Sequence, residues 1–197
     1  MDDVAPVLVI GTPRSRTAWL AAFLSTPDRI FAHEPSVHWR DLDDLRAFLD
    51  RPGAAACDSG LTLFWREALE MRPDLRLIVV RRPIDDVIES CKRAGMPIAA
   101  DAVRIIERTA EVAAGVGASG FAMCLGCDDL ASEAVCGALY HFALDRYPSA
   151  EWCDHWRDLN VQRDWRGQFA AAHANRNGFP RLVIDRVLGK HQQMAEA

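Results

Sequence analysis

No apolar run in this chain approaches the ~20 residues that cross a bilayer as a helix. The acidic opening "MDD" is likewise unlike the basic-then-apolar start of a signal peptide. Both absences lead us to expect a cytoplasmic protein with no membrane partner. A basic excess is missing too. The formal net charge of −5 argues against a broad nucleic-acid surface, although a small anion needs only a local cluster of arginines. Cysteine is sparse. Among the six cysteines, Cys124 and Cys127 have metal-ligand spacing, but no second such pair follows them. "FAMCLGC" (121–127) also reads as a buried strand, in which cysteine serves as a small hydrophobe. The expectation is therefore free thiols in a reducing compartment and no metal. Linkers, low-complexity segments and convincing repeats are lacking as well.

What is present suits one domain over residues 1–197, half of them hydrophobic. "PVLVIG" (6–11), "RIFAH" (29–33), "LRLIVV" (75–80), "GFAMCLG" (120–126) and "RLVID" (181–185) read as strands. Helical spacing marks 15–25, 39–50, 61–71, 84–94, 101–114 and 130–144, with a further helix near 166–174. "RPGAAACDSG" (51–60) is loop-like, and 152–166 is rich in tryptophan. Strands alternating with helices predict an α/β fold, with helices on both faces of a mainly parallel sheet of about five strands. Strand 6–11 should lie at its centre.

Chemistry collects in three places. "GTPRSRT" (11–17) joins the first strand to the first helix, the position of a phosphate-binding loop. It lacks the Gly-Lys-Ser/Thr ending of an ATP-binding loop, with Arg16, Thr17 and Ala18 standing there instead. Gly11 permits a sharp turn, the following helix start favours an anion, and Arg14 offers a planar fork to phosphate or sulfate oxygens. A plain strand-to-helix turn, N-capped by Ser15, is the alternative. In "LIVVRRPIDDVIESCKR" (77–93), Arg81 and Arg82 leave the end of a buried strand, and Ser90 follows on the next helix. These can share one phosphate or form a solvated basic rim. In "IFAHEPSVHW" (30–39), His33, Glu34 and His38 follow the second strand. One of them can take a proton from an acceptor, or Glu34 can simply pair with a loop arginine.

Together these stretches resemble the P-loop sulfotransferases, especially their bacterial and carbohydrate-acting branches. That family's loop, Gly-x-Pro-(Arg/Lys)-Ser-Gly-Thr, is matched by Gly11, Pro13, Arg14, Ser15 and Thr17. "FAHEPSVHW" is similar to its second strand ending in Glu-Pro, and "VVRRPIDDVIES" to its strand-Arg-x-Pro-helix-Ser element. "CLGCDDLASEAVCGALYHFAL" resembles its late Glu-Asp-Leu strand end and the helix beyond. The matches run in the family's order from about residue 6 to 145. "DWRGQF" (164–169) distantly resembles the Asp-Trp-Lys element.

The resemblance implies a P-loop NTPase-like three-layer sandwich and transfer of a sulfuryl group from 3′-phosphoadenosine 5′-phosphosulfate (PAPS) to a hydroxyl or amine of a small acceptor. No metal would be required. It gives Gly11, Pro13, Arg14, Ser15, Arg16 and Thr17 to the 5′-phosphosulfate and Arg81 and Ser90 to the 3′-phosphate. Glu34 becomes the general base, with His33 and His38 as alternatives.

Three departures matter. Arg16 replaces the loop glycine, and a left-handed side-chain residue costs ~1–2 kcal/mol, so a right-handed Arg16 is expected. Ala18 lacks a hydroxyl that the family places near the 5′-phosphate. Arg81 and Ser90 stand one residue further apart than in the family, turning the serine by about 100° or handing the partnership to Arg82. A P-loop kinase using ATP or GTP, and a non-catalytic nucleotide-binding domain on the same scaffold, are the competing readings.

Overall fold

Val7–Gly11 is buried at every position and forms β1. A strand with no solvated face belongs in the middle of a sheet covered on both sides, and that is where the chain puts it. The computed structural model describes residues 4–96 and 98–157. In chain order the remaining elements are α1 (Thr17–Leu24), β2 (Ala32–His33), α2 (Leu42–Leu49), β3 (Ala55–Cys57), α3 (Trp65–Met71), β4 (Arg76–Arg81), α4 (Ile84–Arg93), α5 (Ala100–Ala118), β5 (Ala122–Gly126), α6 (Glu133–Leu144) and α7 (Ala150–Arg157). Short 3-10 turns cover Pro35–His38, Gly60–Phe64 and Asp128–Ala131.

The five strands order as β2-β3-β1-β4-β5, and every pairing is parallel. Alternation along the central strands separates two cores. Val7, Val9, Ile78 and Val80 pack with Leu20, Phe23 and Leu24 of α1 and Leu139 of α6. Leu8, Ile10, Leu77 and Val79 face Leu45 and Leu49 of α2, Ala68 of α3, and Ile105 and Val116 of α5. The result is the α/β three-layer sandwich expected from the sequence, with β1 central and beside β4.

One strand is missing from the sequence reading. Residues 51–60 were expected to be a loop, yet Ala55–Cys57 is β3, paired on both sides. Ala55 and Cys57 lie in the same core as Ala21 of α1. Small residues there let α1 approach the sheet, and their low strand propensity hid the strand. The expected strand 29–33 shrinks to Ala32–His33, because Thr26 and Arg29 instead close a small antiparallel bridge. The first turn of the expected helix 61–71 is 3-10, and α5 runs on to Ala118. The expected helix 166–174, the strand 181–185 and the 164–169 motif lie outside the described residues. Among the described residues no helix is long and apolar enough to cross a membrane.

Candidate functional site

Because the five described strands are all parallel, their carboxyl ends line one edge of the sheet, the edge at which such sheets hold ligands. The loop after β1 is fixed there by packing and hydrogen bonds. Gly11 has φ 150°, and a Cβ on it would lie 1.9 Å from the Val80 carbonyl oxygen, so only glycine fits. Thr62 grips Gly11 from the 3-10 turn: its Oγ1 accepts the Gly11 N–H at 2.8 Å and donates to the Gly11 carbonyl at 2.9 Å. Thr12 and Ser15 hydroxyls meet at 2.5 Å, and the Arg82 N–H donates to Thr12 Oγ1 at 2.9 Å. Pro13 and Ser15 are buried. Ser15 is thus an internal strut of the loop rather than the N-cap of α1.

Arg16 occupies that N-cap position, and here the expectation of a right-handed residue is overturned. Its φ and ψ are 62° and 25°. Arg14 is left-handed too, at φ 62°. The struts above and the contact of Arg82 with Arg14 hold the loop in a path that demands positive φ at both positions. Each such residue costs roughly 1–3 kcal/mol, and such strain collects where a ligand is held. The arginine side chain at position 16 makes no capping hydrogen bond, and the first turn of α1 contains no acidic residue. The first-turn N–H groups of any helix lack intrahelical acceptors. Alternating left-handed residues ahead of a helix start form a concavity of N–H groups suited to an anion.

Two further residues, Ser90 and Arg82, bond to the loop. Arg14 Nε donates to Ser90 Oγ of α4 at 3.2 Å, and Ser90 is 9% exposed. Arg82 Nη1 donates to the Arg14 carbonyl at 3.0 Å. Arg81 is not brought into this contact. It shares a strand face with Leu77 and Val79, and its Nη1 lies 4.0 Å from where a Cβ on Gly117 of α5 would stand. The arginine beside the loop is therefore Arg82, one position later. Burial pushes the Cys91 and Cys127 thiols up; the nearby arginines, Arg14 and Arg82 for Cys91 and Arg16 and Arg82 for Cys127, pull the other way.

On the other side of the loop, Thr17 Oγ1 lies 3.3 Å from His33 Nε2, and His33 Nε2 lies 4.0 Å from Glu34 Oε1. The His33 and Glu34 side chains are 23% and 24% exposed, so both still reach solvent. Glu34 is the third left-handed residue of the site, at φ 47°. Its N–H donates to the Cys57 carbonyl at 3.0 Å, and Ser59 Oγ donates to its Oε1 at 3.3 Å. His38 stands exposed at the far end of the 3-10 turn that Glu34 begins.

The sequence reading missed Thr12, Thr62, Asp58 and Ser59. Asp58 and Ser59 directly follow β3, so recognising 55–57 as a strand would have placed them at the carboxyl edge. Among the described residues, no three or more His, Cys, Asp or Glu side chains gather as a metal site. Comparison with models of known protein families and with curated proteins finds no match.

Proposed function

We propose that this protein is a PAPS-dependent sulfotransferase that acts on a hydroxyl or amine of a small acceptor. What supports the reading most is the Arg14–Ser90 contact, which joins the loop after β1 to the helix after β4. The residues fit the donor's two charged ends. The loop N–H groups with Arg14 and Arg16 suit the 5′-phosphosulfate, and Ser90 with Arg82 suits the 3′-phosphate. Arg82 here takes the place that the sequence reading gave to Arg81.

When bound, the donor supplies a sulfuryl group activated on a phosphate. Glu34 receives the acceptor's proton as the acceptor's oxygen or nitrogen bonds to sulfur. Arg14, Arg16 and the helix start meet the charge left on the departing phosphate. His33, between Thr17 and Glu34, fixes the base relative to the loop, and with His38 it is the alternative base. No step uses a metal. We place this work in the cytoplasm, a compartment that suits the chain's free thiols.

The test is Glu34→Gln, which keeps shape and removes the basic oxygen. Sulfuryl transfer should fall by ~10²–10⁴-fold while affinity for the desulfated donor, PAP, stays nearly unchanged. Full activity would move the base to His33 or His38. PAP binding without transfer to any acceptor would favour a binding domain.

A further inference from the structure

Asp58 is a carboxyl that the proposed chemistry does not use, and it is 1% exposed. It lies immediately after β3, with its own N–H donating to the Val9 carbonyl of β1 at 2.8 Å. Three donors converge on its side chain. Oδ2 accepts the Ser36 N–H at 2.8 Å, while Oδ1 accepts the Ser36 hydroxyl at 2.9 Å and the Gly60 N–H at 2.8 Å. Ser36 is two residues beyond Glu34, and Ser59 next to Asp58 donates to the Glu34 carboxylate. The left-handed Glu34 is therefore clamped on both flanks by the chain around Asp58.

We propose that Asp58 is the positioning residue of Glu34, the two working as a pair of carboxyls, one buried and one open to the crevice. This rests on reading Glu34 as the base. A left-handed glutamate needs its neighbours fixed, and Asp58 supplies the tie through Ser36 and Gly60. Asparagine keeps the shape but replaces one acceptor oxygen with a donor, which faces the donating Ser36 N–H or Gly60 N–H.

The electrostatics agree with this geometry. Burial first, and then the negative charge of Glu34, push Asp58 up to about 6, against the opposing bonds from Ser36 and Gly60. Among the described residues, His33 stands beside Glu34, and burial and Asp58 hold the buried Cys57 thiol in its neutral form.

The experiment follows the Asp58 carboxyl by carbon-13 NMR titration of the full chain. Glu34→Gln should lower its midpoint, and Ser36→Ala should raise it by removing a bond that favours the charged form. In the same preparations Asp58→Asn should cut sulfuryl transfer from PAPS by ~10–100-fold with PAP affinity unchanged, and should abolish any limb of the pH profile near 6. If Asp58→Asn does not fold, the Ser36→Ala and Glu34→Gln titrations still decide. An Asp58 midpoint indifferent to Glu34→Gln overturns the pairing whatever the protein transfers. Absence of PAP binding instead removes the donor reading and leaves the titration result standing.

Discussion

The guanidinium of Arg14 and the hydroxyl of Ser90, 76 positions apart in the chain, meet at 3.2 Å across the mouth of the sheet. Neither residue packs a core. The contact ties the loop after β1 to α4.

Arg14→Ala should therefore weaken PAP binding by ~10–100-fold, the range expected on losing hydrogen bonds to a charged group. Ser90→Ala should weaken it less. Isothermal titration of the full chain checks both, and equal affinities for wild type and Arg14→Ala would remove the loop from the donor site.

Arg16→Gly separates strain from function. Glycine adopts φ 62° without the Cβ penalty, so thermal unfolding should show a gain of ~1 kcal/mol. Donor affinity should fall, because a charge leaves the concavity. A variant that is both less stable and equally good at binding would contradict the strained-loop account.

Gly11 tolerates nothing larger. The Cβ of Gly11→Ala would lie 1.9 Å from the Val80 carbonyl oxygen, which is backbone and cannot swing away. The β1–β4 pairing would have to part, at a cost of ~3 kcal/mol or more. Urea unfolding of the purified variant, or its failure to accumulate folded, measures this; wild-type stability would contradict the close approach.

These predictions depend on features that the sequence revealed unevenly. β1 and β4 were legible because both of their faces are covered, which writes them as unbroken apolar runs. β3 was not, because its small residues answer to the nearness of α1, a tertiary demand with no local signature. The left-handed state of Arg16 was hidden for a similar reason: the hydroxyl struts of Thr12 and Ser15 dictate φ there, against the preference of the residue itself. The choice between Arg81 and Arg82 was closer to readable. Strand alternation puts the exposed Arg81 on the face of Leu77 and Val79, on the α5 side of the sheet, and frees the next residue to turn toward the loop.

Asp58 makes a pH prediction with a definite sign. It titrates at about 6 in the folded chain against an ordinary 3.8. Between those values the folded state keeps a proton that the unfolded chain has released, so this carboxyl's contribution to stability declines as pH rises across that window. The decline amounts to about 3 kcal/mol by neutral pH. Urea midpoints of wild type and Asp58→Asn, compared from pH 4 to 7, should converge or cross as pH rises. A difference independent of pH would contradict the assignment.

On the proposed reading, the loop after β1 together with Arg82 and Ser90 of the β4–α4 segment binds a nucleotide phosphorylated at both ends. Isothermal titration of the full chain with PAP, AMP and ATP–Mg²⁺ tests it most directly. We predict that PAP binds at least ~10-fold more tightly than AMP, since the 3′-phosphate adds a charge-assisted contact. That advantage should disappear in Ser90→Ala combined with Arg82→Ala. Equal affinity for PAP and AMP, or binding of ATP–Mg²⁺ with no response to PAP, would contradict the account and point to a phosphoryl-transfer enzyme on the same fold.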